Sequence, residues 1–218
     1  MNGQQFLQRG SIVIVALIVL LAMTLIAVSM VNSAILQEQM TGNSRQKVLS
    51  RYAAEVALDE AEKRIATEDF SSKDNMTSLF DRTTKGYYSA ASLSLSPGIV
   101  KTAAPVDFDI TDVSQWDERA NAVAVNGVIN TTITSRAPHY IVEYLGQQQA
   151  GSVTEKSLNN DEATIQSEIS YFFRVIAIGW GKDPQIYTIL QSIYRVKSAV
   201  ITDDASEEIS RISWSIIH

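Results

Sequence analysis

The sequence predicts an α+β fold in which one long N-terminal helix lies across an antiparallel β-sheet. Three observations predict it. A charge-free apolar run stands near the N-terminus, apolar positions then continue at helical spacing, and beyond residue 122 the pattern changes to alternation.

The apolar run is residues 11–31, SIVIVALIVLLAMTLIAVSMV, and no charged side chain occurs between Arg9 and Glu38. Roughly 20 apolar residues at a rise of about 1.5 Å cross a hydrocarbon core of about 30 Å. The apolar region of a secretory signal runs to only about 7–15 residues. Ala27-Val28-Ser29 fits a small-x-small cleavage pattern and keeps a long signal peptide as the alternative. A buried soluble helix would carry polar residues on at least one face. Ile12, Val15, Leu17, Leu20, Leu21 and Leu25 are the candidate membrane- or filament-packing positions. Flanking charge does not settle orientation. Arg9 stands on the near side and Arg45, Lys47 and Arg51 on the far side, and long domains translocate largely regardless of such a count.

From residue 35 to about 65, Ile35, Leu36, Met40, Leu49, Tyr52, Val56 and Ile65 recur close to every 3.6 residues, with Ala53, Ala57 and Ala61 between them. Asp59–Lys63 and Glu60–Arg64 are acid-before-base pairs at i,i+4. Gly and Asn weaken a helix, so Thr41-Gly42-Asn43-Ser44 predicts a kink or melted turn in a helix of roughly 85 Å. Residues 68–121, punctuated by Ser71-Ser72, Ser96-Pro97-Gly98 and Ala104-Pro105, read as a connecting region with a short helix near Met76–Phe80. In the head, residues 122–218, Val123 and Val125 and then Ile129, Thr131 and Ile133 alternate around Asn126-Gly127, a hairpin turn or a bulge. Strands are predicted over 140–145, 168–179, 186–200 and 209–217, with an exposed polar loop over 146–160 and a hairpin loop at Gly181-Lys182-Asp183-Pro184.

Composition excludes several classes of function. The chain has 218 residues, 45% hydrophobic and 19% charged, which is too apolar for a disordered tail and leaves room for one globular domain plus extra structure. A net charge of −6 argues against binding a phosphate backbone. With 0 Cys there is no disulfide, thiol nucleophile or Cys-based metal site, and 2 His make a Ser-His-Asp relay improbable. His139 and His218 read as structural or solvent-exposed. Gly179-Trp180-Gly181-Lys182 lacks phosphate-loop spacing and reads as a turn with Trp180 packing on an edge. Asp107, Asp109 and Asp112, like Asp203, Asp204, Glu207 and Glu208, have oxygens suited to calcium, but they read first as solvated acidic loops. Glu38, just past the apolar run, is either a carboxylate that pairs with a neighbouring chain or an ordinary helix-surface charge. No cofactor and no catalytic constellation is expected.

Three patches carry a resemblance: Gln8-Arg9-Gly10 directly before the apolar run; Leu36-Gln37-Glu38-Gln39-Met40-Thr41-Gly42-Asn43 with Ala53-Ala54-Glu55-Val56-Ala57-Leu58; and Pro138-His139-Tyr140-Ile141-Val142-Glu143, then Phe173-Arg174-Val175 and Leu190-Gln191-Ser192-Ile193-Tyr194-Arg195. In these patches, over roughly residues 8–65 and 138–196, the chain resembles the PilX-type minor pilins of type IV pili. The resemblance implies a pilin-like fold and a leader, residues 1–10, that a prepilin peptidase cuts between Gly10 and Ser11. Ser11 is then N-methylated. Residues 11–34 hold the subunit in the inner membrane and later in the filament core, residues 35–67 continue the helix, and the head stands in the periplasm. Major pilins carry Glu at the fifth mature position, and here that position is Val15. An unpaired carboxylate is costly in an apolar bundle, so Val15 suits a subunit without the usual neighbour, as at a filament tip. The implied partners are other minor pilins, a large tip adhesin and the prepilin peptidase, and the implied function is starting or capping the pilus in support of adhesion and twitching. A type II secretion pseudopilin and a single-pass anchored periplasmic sensor or enzyme are the alternatives.

Overall fold

The computed structural model describes residues 6–68, 76, 78–95, 99–101, 103–116, 121–130, 132–149, 168–199 and 208–217. One helix, α1, spans Phe6–Thr67. Among the described residues eight strands follow: β1 Tyr87–Ser89, β2 Leu93–Leu95, β3 Ile99–Lys101, β4 Val123–Ala124, β5 His139–Gln149, β6 Glu168–Trp180, β7 Tyr187–Ala199 and β8 Glu208–Ile216. A 3-10 turn covers Val113–Trp116. The chain divides into two units, Met1–Arg45 and Gln46–His218.

In the first unit α1 stays helical through Thr41-Gly42-Asn43-Ser44, so the expected melted turn does not form there. Thr41 Oγ1 donates to the Gln37 carbonyl at 2.8 Å, so this polar side chain bonds back onto the helix instead of opening a turn. The residue 42 Cβ position lies in open space.

The second unit is an α+β head in which the rest of α1 packs on a six-stranded sheet. The order is β1-β5-β6-β7-β8, with β4 also pairing β5. The β5–β6, β6–β7, β7–β8 and β4–β5 pairs are antiparallel, as expected, and short β1 adds parallel to β5 with Tyr87 opposite Val142, which makes the sheet mixed. β2 and β3 form a separate two-stranded ribbon.

Small residues let α1 approach the sheet closely. Ser50, Ala53, Ala54, Ala57 and Ala61 are fully buried along the covered side of the helix, followed by Ile65. Ser50, Ala53 and Ala54 meet Gly179 in β6, where a Cβ would stand 2.2 Å from the Ala54 nitrogen and 2.4 Å from the Ser50 carbonyl oxygen. Polar bonds pin both ends of the contact. Lys47 Nζ donates to the Tyr187 carbonyl at 2.9 Å, the Asp183 N–H donates to Gln46 Oε1 at 2.8 Å, and the buried Ser50 and Thr188 hydroxyls lie 2.7 Å apart. Further along, Glu62 Oε2 accepts from Arg211 at 2.7 Å and from the buried Tyr194 hydroxyl at 3.2 Å, which ties α1 to β7 and β8.

Alternation sorts the strands into two cores. Tyr140, Val142, Tyr144, Phe173, Val175, Ala177, Tyr194 and Val196 face α1, and Phe80 stacks on Phe173 at 5.7 Å and meets Tyr87 edge-on at 5.4 Å. Burial pushes the Tyr144 hydroxyl up to about 12. Ile141, Ile176, Ile178, Trp180 and Ile189 face the other way and are covered by Trp116, Tyr88, Phe108 and Val106.

The connecting region is therefore not idle. Its residues 106–116 form the lid of the second core, and Trp116 is anchored by donating to the Ile110 carbonyl at 2.8 Å. Met76, Ser78 and Leu79 are helical, as expected for a short helix there. β5 continues to Gln149, so the polar stretch from 146 begins inside a strand, and its remainder to 160 lies outside the described residues. The alternation at Ile129 and Ile133 is not a strand. Asn130 Oδ1 accepts from the Thr132 N–H at 2.9 Å and the Asn130 carbonyl from Ile133 N–H at 3.0 Å, closing a turn that displaces ladder pairing. Gly127, at φ 80°, sits in this loop.

The helix–sheet contact predicts opposite outcomes at two glycines. Gly179→Ala forces the α1 and β6 backbones apart and lowers stability by about 1–3 kcal/mol or more. Gly42→Ala meets nothing and adds up to about 1 kcal/mol of helix propensity. Thermal unfolding of the full chain in detergent, followed by near-UV circular dichroism of the head, separates the two.

Candidate assembly surfaces

The first surface is the apolar part of α1. Ile12, Val15, Leu17, Leu20, Leu21 and Leu25 are exposed at 69%, 57%, 65%, 64%, 57% and 63%. Exposure on every side of the helix means that this unit buries none of them within itself. Among the described residues α1 is the one helix long and apolar enough to cross a membrane. Gly10 and Ser11 lie within α1, and nothing of their side chains is described. Glu38 is exposed on the same helix.

The second surface is the edge of the head sheet. β8 pairs with β7 on one side, and no strand among the described residues takes its other side. Ile212, Trp214, Ile216 and Ile217 are exposed along it at 54%, 38%, 49% and 38%. Natural edges are usually blunted by Lys, Pro or short length, and this one runs nine residues with neither. The Arg51 guanidinium lies over the Trp214 ring at 5.2 Å, holding the indole against α1.

The other sequence candidates are structural. His139 is buried at the start of β5, packs edge-on against Trp180 at 5.4 Å and has Nδ1 2.9 Å from the Ala137 carbonyl. His218 lies outside the described residues. Trp180 is the last residue of β6 and fully buried, so it belongs to the second core and not to an edge turn; the turn is confined to residues 181–186.

The acidic loop spends its oxygens locally. Asp109 Oδ1 accepts from the Thr111 N–H and hydroxyl at 2.9 and 2.7 Å, and Asp112 accepts from Ser114 and Gln115. Asp107 accepts from Arg82 at 2.7 Å, and that bond holds its carboxyl below the usual range. Among the described residues no group of three His, Asp or Glu could hold a metal ion. Asp203, Asp204 and Glu207 lie outside those residues. A polar cleft of about 80 Å³ is lined by Arg82, Thr83, Thr84, Lys85, Tyr88 and Asn121, a set that offers no carboxylate or imidazole as a base.

Sequence reasoning missed the charged pair at the centre of the sheet. Glu143 on β5 and Arg174 on β6 are register partners on the face away from α1, and Glu143 is 1% exposed. Arg174 Nε donates to Glu143 Oε2 at 2.7 Å, and a second guanidinium nitrogen reaches the same oxygen. Glu143 Oε1 takes a long bond of 3.5 Å from the Val106 N–H, at the lid of the second core. The signal was present as charged residues inside two apolar strands, but only strand register brings them together.

Comparison with known proteins closes the identification. The family described as PilX N-terminal matches residues 9–59, and the family described as Type IV pilus assembly protein PilX C-term matches residues 63–196. No curated protein and no solved structure matches. The C-terminal match alone takes in more than half of the chain, and with the N-terminal match it covers the apolar helix and the sheet strands up to residue 196 of β7: the chain belongs to the PilX family of type IV pilus assembly proteins, structural pilins and not enzymes.

Proposed function

We propose that this pilin acts at the tip of a type IV pilus, where with other minor pilins it starts or caps the filament and, with a large tip adhesin, supports adhesion and twitching motility. The observation that carries the reading is Val15, apolar and 57% exposed at the position where major pilins place a carboxylate. A charged group at mid-helix costs about 2.5–3.5 kcal/mol on insertion into an apolar medium unless a cation meets it. A subunit with no neighbour ahead of it has no amine to meet, and valine avoids that cost.

In this reading the chain first spans the inner membrane once, with the head in the periplasm. Prepilin peptidase cuts between Gly10 and Ser11, and the new amine of Ser11 is methylated. Residues 11–34 then exchange lipid for the apolar helices of neighbouring pilins, a transfer between two apolar surroundings that needs little net free energy. The edge of β8 that no described strand takes receives a strand from a neighbouring head, main chain to main chain.

Two outcomes test this. Gly10→Glu abolishes processing, leaves the full-length form in the membrane and removes the subunit from sheared pili; a normal mature mass and normal piliation in that variant would remove the assignment. Trp214→Lys puts a charge on the β8 edge. It leaves processing and head unfolding nearly unchanged, within about 1 kcal/mol, while recovery of other minor pilins with the detergent-solubilised protein falls at least tenfold.

A further inference from the structure

The face of the sheet turned away from α1 carries a second arginine, whose Nε finds no acceptor among the described residues. Arg195 on β7 stands opposite Phe172 on β6, and Arg174 stands opposite Ile193. The two arginines are therefore diagonal cross-strand neighbours on one face, about 7–8 Å apart by the general geometry of sheets. Among the described side chains, these two guanidinium groups share this place with one carboxylate, and Glu143 is spent on Arg174 through Oε2. Arg195 is half-buried, and its Nε is buried with no hydrogen-bond partner among the described residues. A buried donor left unpaired costs about 1–3 kcal/mol, more when charged. The lid of residues 106–116 packs over the Trp180 end of this face, and Phe172 and Ile193 are not among the residues of the core it closes. Half-buried Phe172 and Ile193 flank the arginine.

We propose that this patch is a docking point for a protein segment that presents a carboxylate side chain to Arg195, with Phe172 and Ile193 receiving its apolar neighbours. Charge complementarity selects the occupant. The guanidinium needs an acceptor with two oxygens in its plane, which Asp or Glu supplies. A nucleic-acid backbone is disfavoured by the net charge of −6. The surface is separate from the β8 edge, since it lies on the sheet face and selects by side chain where the edge selects by main chain. It rests on the chain working as a pilus-assembly subunit with protein neighbours.

The test uses the full chain in piliated cells, with a photo-crosslinking benzoylphenylalanine in place of Gln191, two residues along β7 from Ile193. The mature mass is read alongside, so that failure of the pilin reading shows as an unprocessed chain. The expected result is an adduct with a polypeptide. It weakens at least tenfold in Arg195→Glu, persists in Arg195→Lys, and returns to Arg195→Glu when the acidic residue of the captured segment is changed to Lys. Arg174 is left untouched, because its loss would strand buried Glu143. Persistence of the lysine variant's adduct and unchanged protease resistance of both variants exclude misfolding as the cause. On processed chain, an adduct of equal strength in Arg195→Glu, an adduct with lipid or nucleic acid alone, or no adduct at all would overturn the proposal.

Discussion

The head depends on one close approach, that of the α1 backbone to β6 at Gly179. The contact works because both sides lack bulk: alanines at 53, 57 and 61 fall on one helical face, and residue 179 has no Cβ to hold the layers apart. With the backbones this near, the Ser50 and Thr188 hydroxyls satisfy each other in the dry interior, and Lys47 and Gln46 reach the β6–β7 turn. Larger residues at these positions would lift the helix and break those bonds. Tyr194, Phe173 and Phe80 then fill the wider space toward Ile65, where longer side chains set the separation.

The same logic shows why the two parts of α1 behave differently. From Gln46 onward the helix is amphipathic and finds its partner within its own chain. Over residues 12–31 its side chains are almost wholly apolar, and the large ones among them stand exposed, unburied within the unit Met1–Arg45. A helix of this kind is stable only among lipids or other apolar helices. That requirement is the physical content of membership in a pilus-assembly family.

Much of this was legible in the sequence because it rests on local periodicity. The apolar run announces a helix, the Ala53-Ala57-Ala61 spacing and the alternation of β5 to β7 each announce a face, and the structure contains that helix and buries those faces. What escaped notice depends on partners far apart in the chain. β1 joins β5 in parallel from a region with few pattern signals, and Trp116 covers a second core that no local pattern foretold. At Thr41–Ser44 and at residues 129–133, local preferences were read correctly and outweighed: in one case a helix continued through poor formers, and in the other an Asn-based turn won over alternation. The Glu143–Arg174 pair and Arg195 diagonal to it appear only once register is known, since strand sequences show which side a residue takes but not what stands opposite.

The central claim is that the N-terminal helix is first a membrane anchor and then a filament component, with a processing event between. Intact mass of the protein from cells with and without prepilin peptidase tests it most directly. The account predicts a chain beginning at N-methylated Ser11 when the peptidase is present, and one that retains residues 1–10 when it is absent. Retention of Met1–Gly10 in peptidase-competent cells would contradict it.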